Sequence, residues 1–204
     1  MSGSTEALSI VAAAATTVQA GALVALHILP TGYDPVHDAV SDYGVGRYRA
    51  GFWVQVVAGG LGCLALAGAL DNLHPFTPTL VVAMLVVTAV SRFAIPFFPT
   101  DQGDSRFATV PGTIHMSLAI LSFGGITVAA TSLWSTLHRY PVWHRYESLL
   151  TILSWVILGS VIALTVALRA PGLKRHFGLY ERLFYLSSIA WIMIVAIKLA
   201  RVAS

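Results

Sequence analysis

The sequence predicts an all-α fold, a six-helix integral membrane bundle that occupies residues 1–204 as one transmembrane domain with both termini on the same side. Three observations predict it. Six apolar runs each come close to the ~20 residues that a helix needs to cross ~30 Å of hydrocarbon. Hydrophobic residues make up 56% of the 204 residues and charged residues only 10%, against roughly 25% charged in ordinary soluble domains. The mean hydropathy is +0.77, and the polar residues gather between the runs, which leaves no length for a separate soluble domain. Helices rather than strands follow, because open strand edges leave backbone groups unsatisfied in lipid.

The first helix, 8–29, is closed by Leu29-Pro30-Thr31-Gly32 and carries His27 in its last turn; proline is common just past a helix end. The second, 50–70, holds Ala58, Gly59, Gly60, Gly62, Ala65, Ala67, Gly68 and Ala69, small residues that let neighbouring helices approach closely. It also holds Cys63, the single cysteine, which has no intramolecular disulfide partner and reads as a buried thiol. The third, 79–98, ends at Pro99 and contains Arg92, the one Lys or Arg well inside an apolar run. The fourth, 111–134, opens on Pro111-Gly112, places His115 one turn in, and carries Gly124 and Gly125 as packing positions. The fifth, 149–168, stops before Pro171, and the sixth, 182–198, opens at Glu181-Arg182. Trp134, Trp143, Trp155 and Trp191, with Tyr140 and Tyr146, read as interfacial anchors. His138-Arg139-Tyr140-Pro141 and His144-Arg145 form a basic loop suited to lipid headgroups.

With six spans, the loops 30–49, 99–110 and 169–181 share one face, here the motif face. It holds Asp34, Asp38, Asp42, Asp101, Asp104 and Glu181, and also Arg47, Arg49, Arg106, Arg169, Lys174, Arg175 and Arg182. The positive-inside rule would put this face in the cytoplasm. The formal net charge is only +3, with its cations in loops, so nucleic acid is not an expected partner. The segment 30–49 is the longest polar stretch. A short helix there would stack Asp34, Asp38 and Asp42, four residues apart, on one side; a solvated loop capped at Ser41 or Asp42 fits the same residues.

His27-x-x-Pro30, Asp34-Pro35 and Ser41-Asp42-Tyr43-Gly44, followed by Arg92, Phe98-Pro99-x-Asp101, Gly112-x-x-His115 and Gly178-Leu179-x-Glu181-Arg182, resemble the pattern of a prokaryotic membrane family of unknown function, domain of unknown function 998. The likeness covers nearly the whole chain and implies a multi-pass protein of the cell membrane, without a reaction. Val40-Ser41-Asp42 is more weakly similar to the first loop of the Frag/DRAM/Sfk group, whose loop faces away from the cytoplasm; Val stands for Ile here, and the proline of that pattern is missing.

Depth along the helices selects the candidate site. His27, Arg92 and His115 lie within roughly 5–10 Å of the motif-face boundary at ~1.5 Å per residue, and polar groups at that depth are a default functional hypothesis. Glu181, Arg182 and Asp101 enter at the same boundary, and Ser41 and Asp42 lie in the loop above it, so the eight are expected to meet in one pocket. Arg92 cannot shed its charge and requires an anion, with Asp101 the expected holder and one guanidinium edge left for a ligand. Arginines and helix-start amides suit a phosphate or carboxylate. The leading expectation is therefore a pocket for a lipid headgroup or small anionic ligand, with membrane lipids as partners. A membrane-embedded lipid-processing hydrolase or transferase is the alternative, with a metal held by His27, His115 and Asp101, with Ser41 as nucleophile, or with haem between the two histidines. An accessory subunit beside a membrane protein partner is the third class. The sequence assigns no cofactor.

Overall fold

The protein is described by a computed structural model over residues 3–73, 77–103, 106–137 and 141–203. Six long helices run α1 Gly3–Ile28, α2 Arg49–Asp71, α3 Thr79–Ala94, α4 Val110–Leu137, α5 His144–Ala167 and α6 Phe177–Ala203. All six, α3 together with the turn that continues it to Phe97, are long and apolar enough to span a membrane. Each packs on the next and α6 returns to α1, closing a ring, while α2 also touches α6. The α4–α5 contact is the loosest in the ring.

Small residues set the tight side of that ring. On α2, Gly62 rests on Thr16 and the Ala12 carbonyl of α1, and Gly60 rests on Phe93 and the Ala89 carbonyl of α3. A side chain at either position would push the neighbouring helix away. Buried hydroxyls satisfy themselves along their own helices: Ser9, Thr16 and Thr127 donate to the carbonyls four residues earlier at 2.7 Å, which is how a polar side chain is tolerated in an apolar bundle. The core is filled by Leu26, Leu66, Leu85, Ile126, Phe184 and Trp191.

Four sequence expectations shift. Trp191 is 1% exposed and is a core residue rather than an interfacial anchor, and Trp143 is buried too, whereas Trp134 and Trp155 do face outward. Gly125 packs against Thr88 and the Met84 carbonyl as expected, but a Cβ at Gly124 would meet no atom within 4 Å, so Gly124 faces open space. The third span gives up its α-helix at Ala94 and finishes as a 3-10 turn, Ile95–Phe97, because Pro96 has no N–H to donate. The last helix begins at Phe177 rather than at 182, since the first loop satisfies its early amides: Leu179 N–H donates to the Val36 carbonyl at 3.1 Å. Glu181 and Arg182 thus sit a full turn inside. The basic-loop residues His138, Arg139 and Tyr140, and also Asp104, lie outside the described residues.

The first loop crosses the end of the bundle. Its 3-10 turn Val40–Gly44 packs on α2 and α6, and Val40 and Tyr43 are at most 1% exposed. The three aspartates do not stack. Asp34 builds a turn by accepting from the Val36 and His37 amides, Asp38 accepts from the Asp34 amide, and only Asp42 points to the interior.

Candidate functional site

The family-like motifs at the motif face resolve into distinct groups of side chains. The first fastens the loop to the bundle. Arg182 of α6 donates through Nε to His27 Nε2 at 2.6 Å, through Nη1 to the Asp38 and Gly178 carbonyls at 2.7 and 3.0 Å, and through Nη2 to the Tyr43 hydroxyl at 3.1 Å. Arginine only donates, so His27 Nε2 is an acceptor and its proton sits on Nδ1, 2.7 Å from the Leu23 carbonyl. Gly178 explains its place in the motif: a Cβ there would collide with the Asp38 carbonyl and lie 2.8 Å from that of Pro35. The loop can reach the helix only over a bare backbone.

The second group is an acidic cap. Asp101 accepts from the Thr109 amide at 2.9 Å and the Thr109 hydroxyl at 2.8 Å, just ahead of α4, where carboxylates are favoured. The two bonds from Thr109 hold its carboxyl below the usual aspartate range. Its carboxylate fills the space that a Cβ at Gly112 would need, which accounts for that glycine.

The third group forms a cavity of about 460 Å³ at the motif-face end of the bundle. Asp42, 3% exposed, takes both Nη atoms of Arg106 at 2.7 and 3.0 Å and the Ala39 amide at 2.9 Å. Burial works against the Arg106 charge, but Asp42 beside it holds the guanidinium above its usual range, so it stays protonated. Arg106 also lies over the Phe177 ring at 5.4 Å. Lys174, Arg175, His37 and Asp38 complete the polar wall. Among the described lining residues, Arg106, Lys174 and Arg175 stand around Asp38 and Asp42.

Below this cavity, and sharing Leu168 and Phe177 with it, an apolar cleft of about 160 Å³ runs between α4 and α5. Ser41, His115 and Glu181 are its polar lining apart from Thr165 and Tyr185. His115 is tied through Nδ1 to the Phe98 carbonyl at 2.7 Å, and Glu181 accepts from the Val40 amide at 2.7 Å. Among the described residues no hydrogen bond joins Ser41, His115 and Glu181 to one another.

Deeper still, Arg92 is 2% exposed. Its Nε donates to Ser122 Oγ at 3.2 Å and its guanidinium lies over the Tyr185 ring at 5.6 Å. Asp101 does not hold it, contrary to the sequence expectation, because that carboxylate is engaged at the start of α4. Arg92 Nη1 and both amide atoms of Gln19 and Gln55 have no hydrogen-bond partner among the described residues. Arg92 Nη1 and the Gln19 amide meet over Gly59, where no Cβ would fit.

The single pocket expected from depth is therefore divided. Asp42 lines the polar cavity; Ser41, His115 and Glu181 line the cleft; His27 and Arg182 lock the loop; Asp101 caps a helix; Arg92 belongs to the core. The proposed metal set of His27, His115 and Asp101 is a correction as well. His27 presents its lone pair to a guanidinium, the other two point to separate partners, and no group of three or more His, Cys, Asp or Glu with metal-holding geometry occurs among the described residues. The same occupation of His27 removes it as a haem ligand. Sequence reasoning counted Arg106, Lys174 and Arg175 only as loop charges, and their joint position around Asp42 has no local signature. Gln19 and Gln55 did carry a signal, each being a lone amide inside an apolar run.

A sequence model of the family described as a protein of unknown function (DUF998) matches residues 10–198, and the chain belongs to that family. No curated protein and no solved structure gives a match.

Proposed function

We propose that this DUF998 protein binds a membrane lipid by a phosphate-bearing headgroup, which sits in the motif-face cavity of a multi-pass protein of the cell membrane. The observation that carries the reading is the cavity among Arg106, Lys174 and Arg175. Arg106 is held in a fixed orientation by the bidentate contact to Asp42, while Lys174 and Arg175 reach the cavity from the short helix Pro171–Lys174 and its end. A guanidinium and an ammonium at headgroup depth suit phosphate oxygens. Asp38 and Asp42 offer acceptors to headgroup hydroxyls.

The lipid-processing alternative draws on Ser41, His115 and Glu181 lining the cleft beside the cavity, but each of the latter two is engaged by a backbone group, and binding is the more direct use of the cations. Thermal unfolding in detergent tests the reading, with dioleoylphosphatidylglycerol, dioleoylphosphatidylcholine or inorganic phosphate added to the wild type and to the Lys174→Gln/Arg175→Gln double variant. A ligand at about 100 times its Kd stabilises by about 2.7 kcal/mol, roughly 5–10 °C for a chain of this size. The wild type should gain this with phosphatidylglycerol, less with phosphatidylcholine, and the double variant should gain little. Equal shifts in both proteins would overturn the proposal, and a shift produced by phosphate alone would identify a soluble anion instead of a lipid.

A further inference from the structure

We propose that the lipid in the headgroup cavity threads one acyl chain into the cleft between α4 and α5, entering sideways from the leaflet on the motif face. The inference rests on the headgroup reading and adds where the tail goes. The cavity and the cleft are neighbours, since Leu168 and Phe177 line both. Charged side chains line one end, and the cleft walls are Met116, Ile120 and Phe123 from α4 and Val161 and Leu164 from α5. This is the order of chemistry along a phospholipid, from phosphate to hydrocarbon.

The gap falls between the least tightly packed neighbours in the ring. At Gly124 a Cβ would have no atom within 4 Å, so α4 leaves room on this wall, in contrast to Gly125, which is filled by α3. Along α6 the lining runs from Phe177 to Tyr185, about 12 Å at ~1.5 Å per residue, most of the ~15 Å that one leaflet contributes to a ~30 Å hydrocarbon core. One chain is accommodated rather than two, because the cleft holds only about 160 Å³. Ser41, His115 and Glu181 sit in the same cleft as the chain and, being polar, mark where its ester linkage would pass.

Photocrosslinking in detergent tests this with phosphatidylglycerol carrying a diazirine midway along one acyl chain. Adducts should concentrate on the cleft-facing residues of α4 and α5, Ile120, Phe123, Val161 and Thr165, and tenfold excess unlabelled phosphatidylglycerol should suppress them. Gly124→Phe, whose ring would occupy the cleft, should lower these adducts at least fivefold while leaving the thermal shift with phosphatidylglycerol at half its wild-type size or more. Adducts spread evenly around the lipid-facing surfaces of all six helices in the wild type would overturn the tail placement without touching the headgroup reading. The wild-type map needs no variant, so a Gly124→Phe protein that fails to fold leaves the proposal open to refutation. Val161→Trp on the opposite wall is the second blocking substitution. A wild type that gains no stability from phosphatidylglycerol would remove both proposals.

Discussion

Replacing Arg182 with methionine should release the first loop while leaving the six helices in place. Methionine keeps the unbranched stem but removes every donor that now reaches His27, Asp38, Gly178 and Tyr43. His27 cannot compensate, since its Nδ1 proton is committed to the Leu23 carbonyl. Two half-buried acceptors, His27 Nε2 and the Asp38 carbonyl, lose their donor, and each such loss costs about 1–3 kcal/mol. Removal of a buried guanidinium gives part of this back, so the net loss is about 2–4 kcal/mol. The effect falls on the segment that the arginine holds. Amide hydrogen exchange in residues 34–44 should accelerate by roughly thirtyfold to a thousandfold, at ~1.4 kcal/mol per factor of ten, while exchange in the middle of α2 and α6 changes far less. Unchanged exchange in 34–44 would refute the claim that Arg182 is the fastener. A uniform rise across all helices would refute the claim that its role is local.

Arg92 should behave in the opposite way. Among the described residues Arg92 has no carboxylate partner and its Nη1 is unpaired, so Arg92→Met exchanges a buried charge for an apolar side chain of similar length and should leave the melting temperature unchanged or raise it; a fall of more than about 5 °C would contradict this. Gly178→Ala should lower stability although alanine gains up to ~1 kcal/mol of helix propensity, because its Cβ would meet the Asp38 carbonyl, whereas Gly124→Ala should be neutral or stabilising; parallel melts of the two proteins check the contrast. Because the folded-state pKa of Asp101 is depressed, its contribution is present above the unfolded aspartate value near pH 4 and is lost as pH falls through the lower folded value. Protection of the first turn of α4 should therefore drop in acid below about pH 4 in the wild type, and Asp101→Asn should flatten that dependence.

The architecture was legible because span length is a property of the sequence alone: six runs of the required length leave one solution for an all-helical chain. Small residues on α2 announced close packing for the same reason, since a missing side chain has one effect wherever it falls. Depth, by contrast, fixes only one coordinate. His27, Arg92, Asp101, His115 and Arg182 do approach one end of the bundle, but rotation about each helix axis decides which neighbour each one meets. That rotation sends Arg92 to Ser122 and Tyr185, and His115 to the Phe98 carbonyl. Asp101 could not be assigned to Thr109 without knowing that the two come within hydrogen-bond distance. The cavity cations Arg106, Lys174 and Arg175 come from two loops whose approach depends on where α6 begins, and that in turn depends on the first loop supplying acceptors to its amides. Motif glycines were visible as motif, yet their reason, the passage of the Asp38 carbonyl over Gly178 and of the Asp101 carboxylate over Gly112, appears only in three dimensions.

The central claim is that a lipid phosphate sits among Arg106, Lys174 and Arg175. The most direct measurement is an experimental density map of the protein in nanodiscs containing phosphatidylglycerol. Phosphate density is expected within hydrogen-bond distance of at least two of these three side chains, with hydrocarbon density continuing past Phe177 towards Gly124. A cavity that holds only water, with ordered lipid confined to the outer faces of the helices, would contradict it.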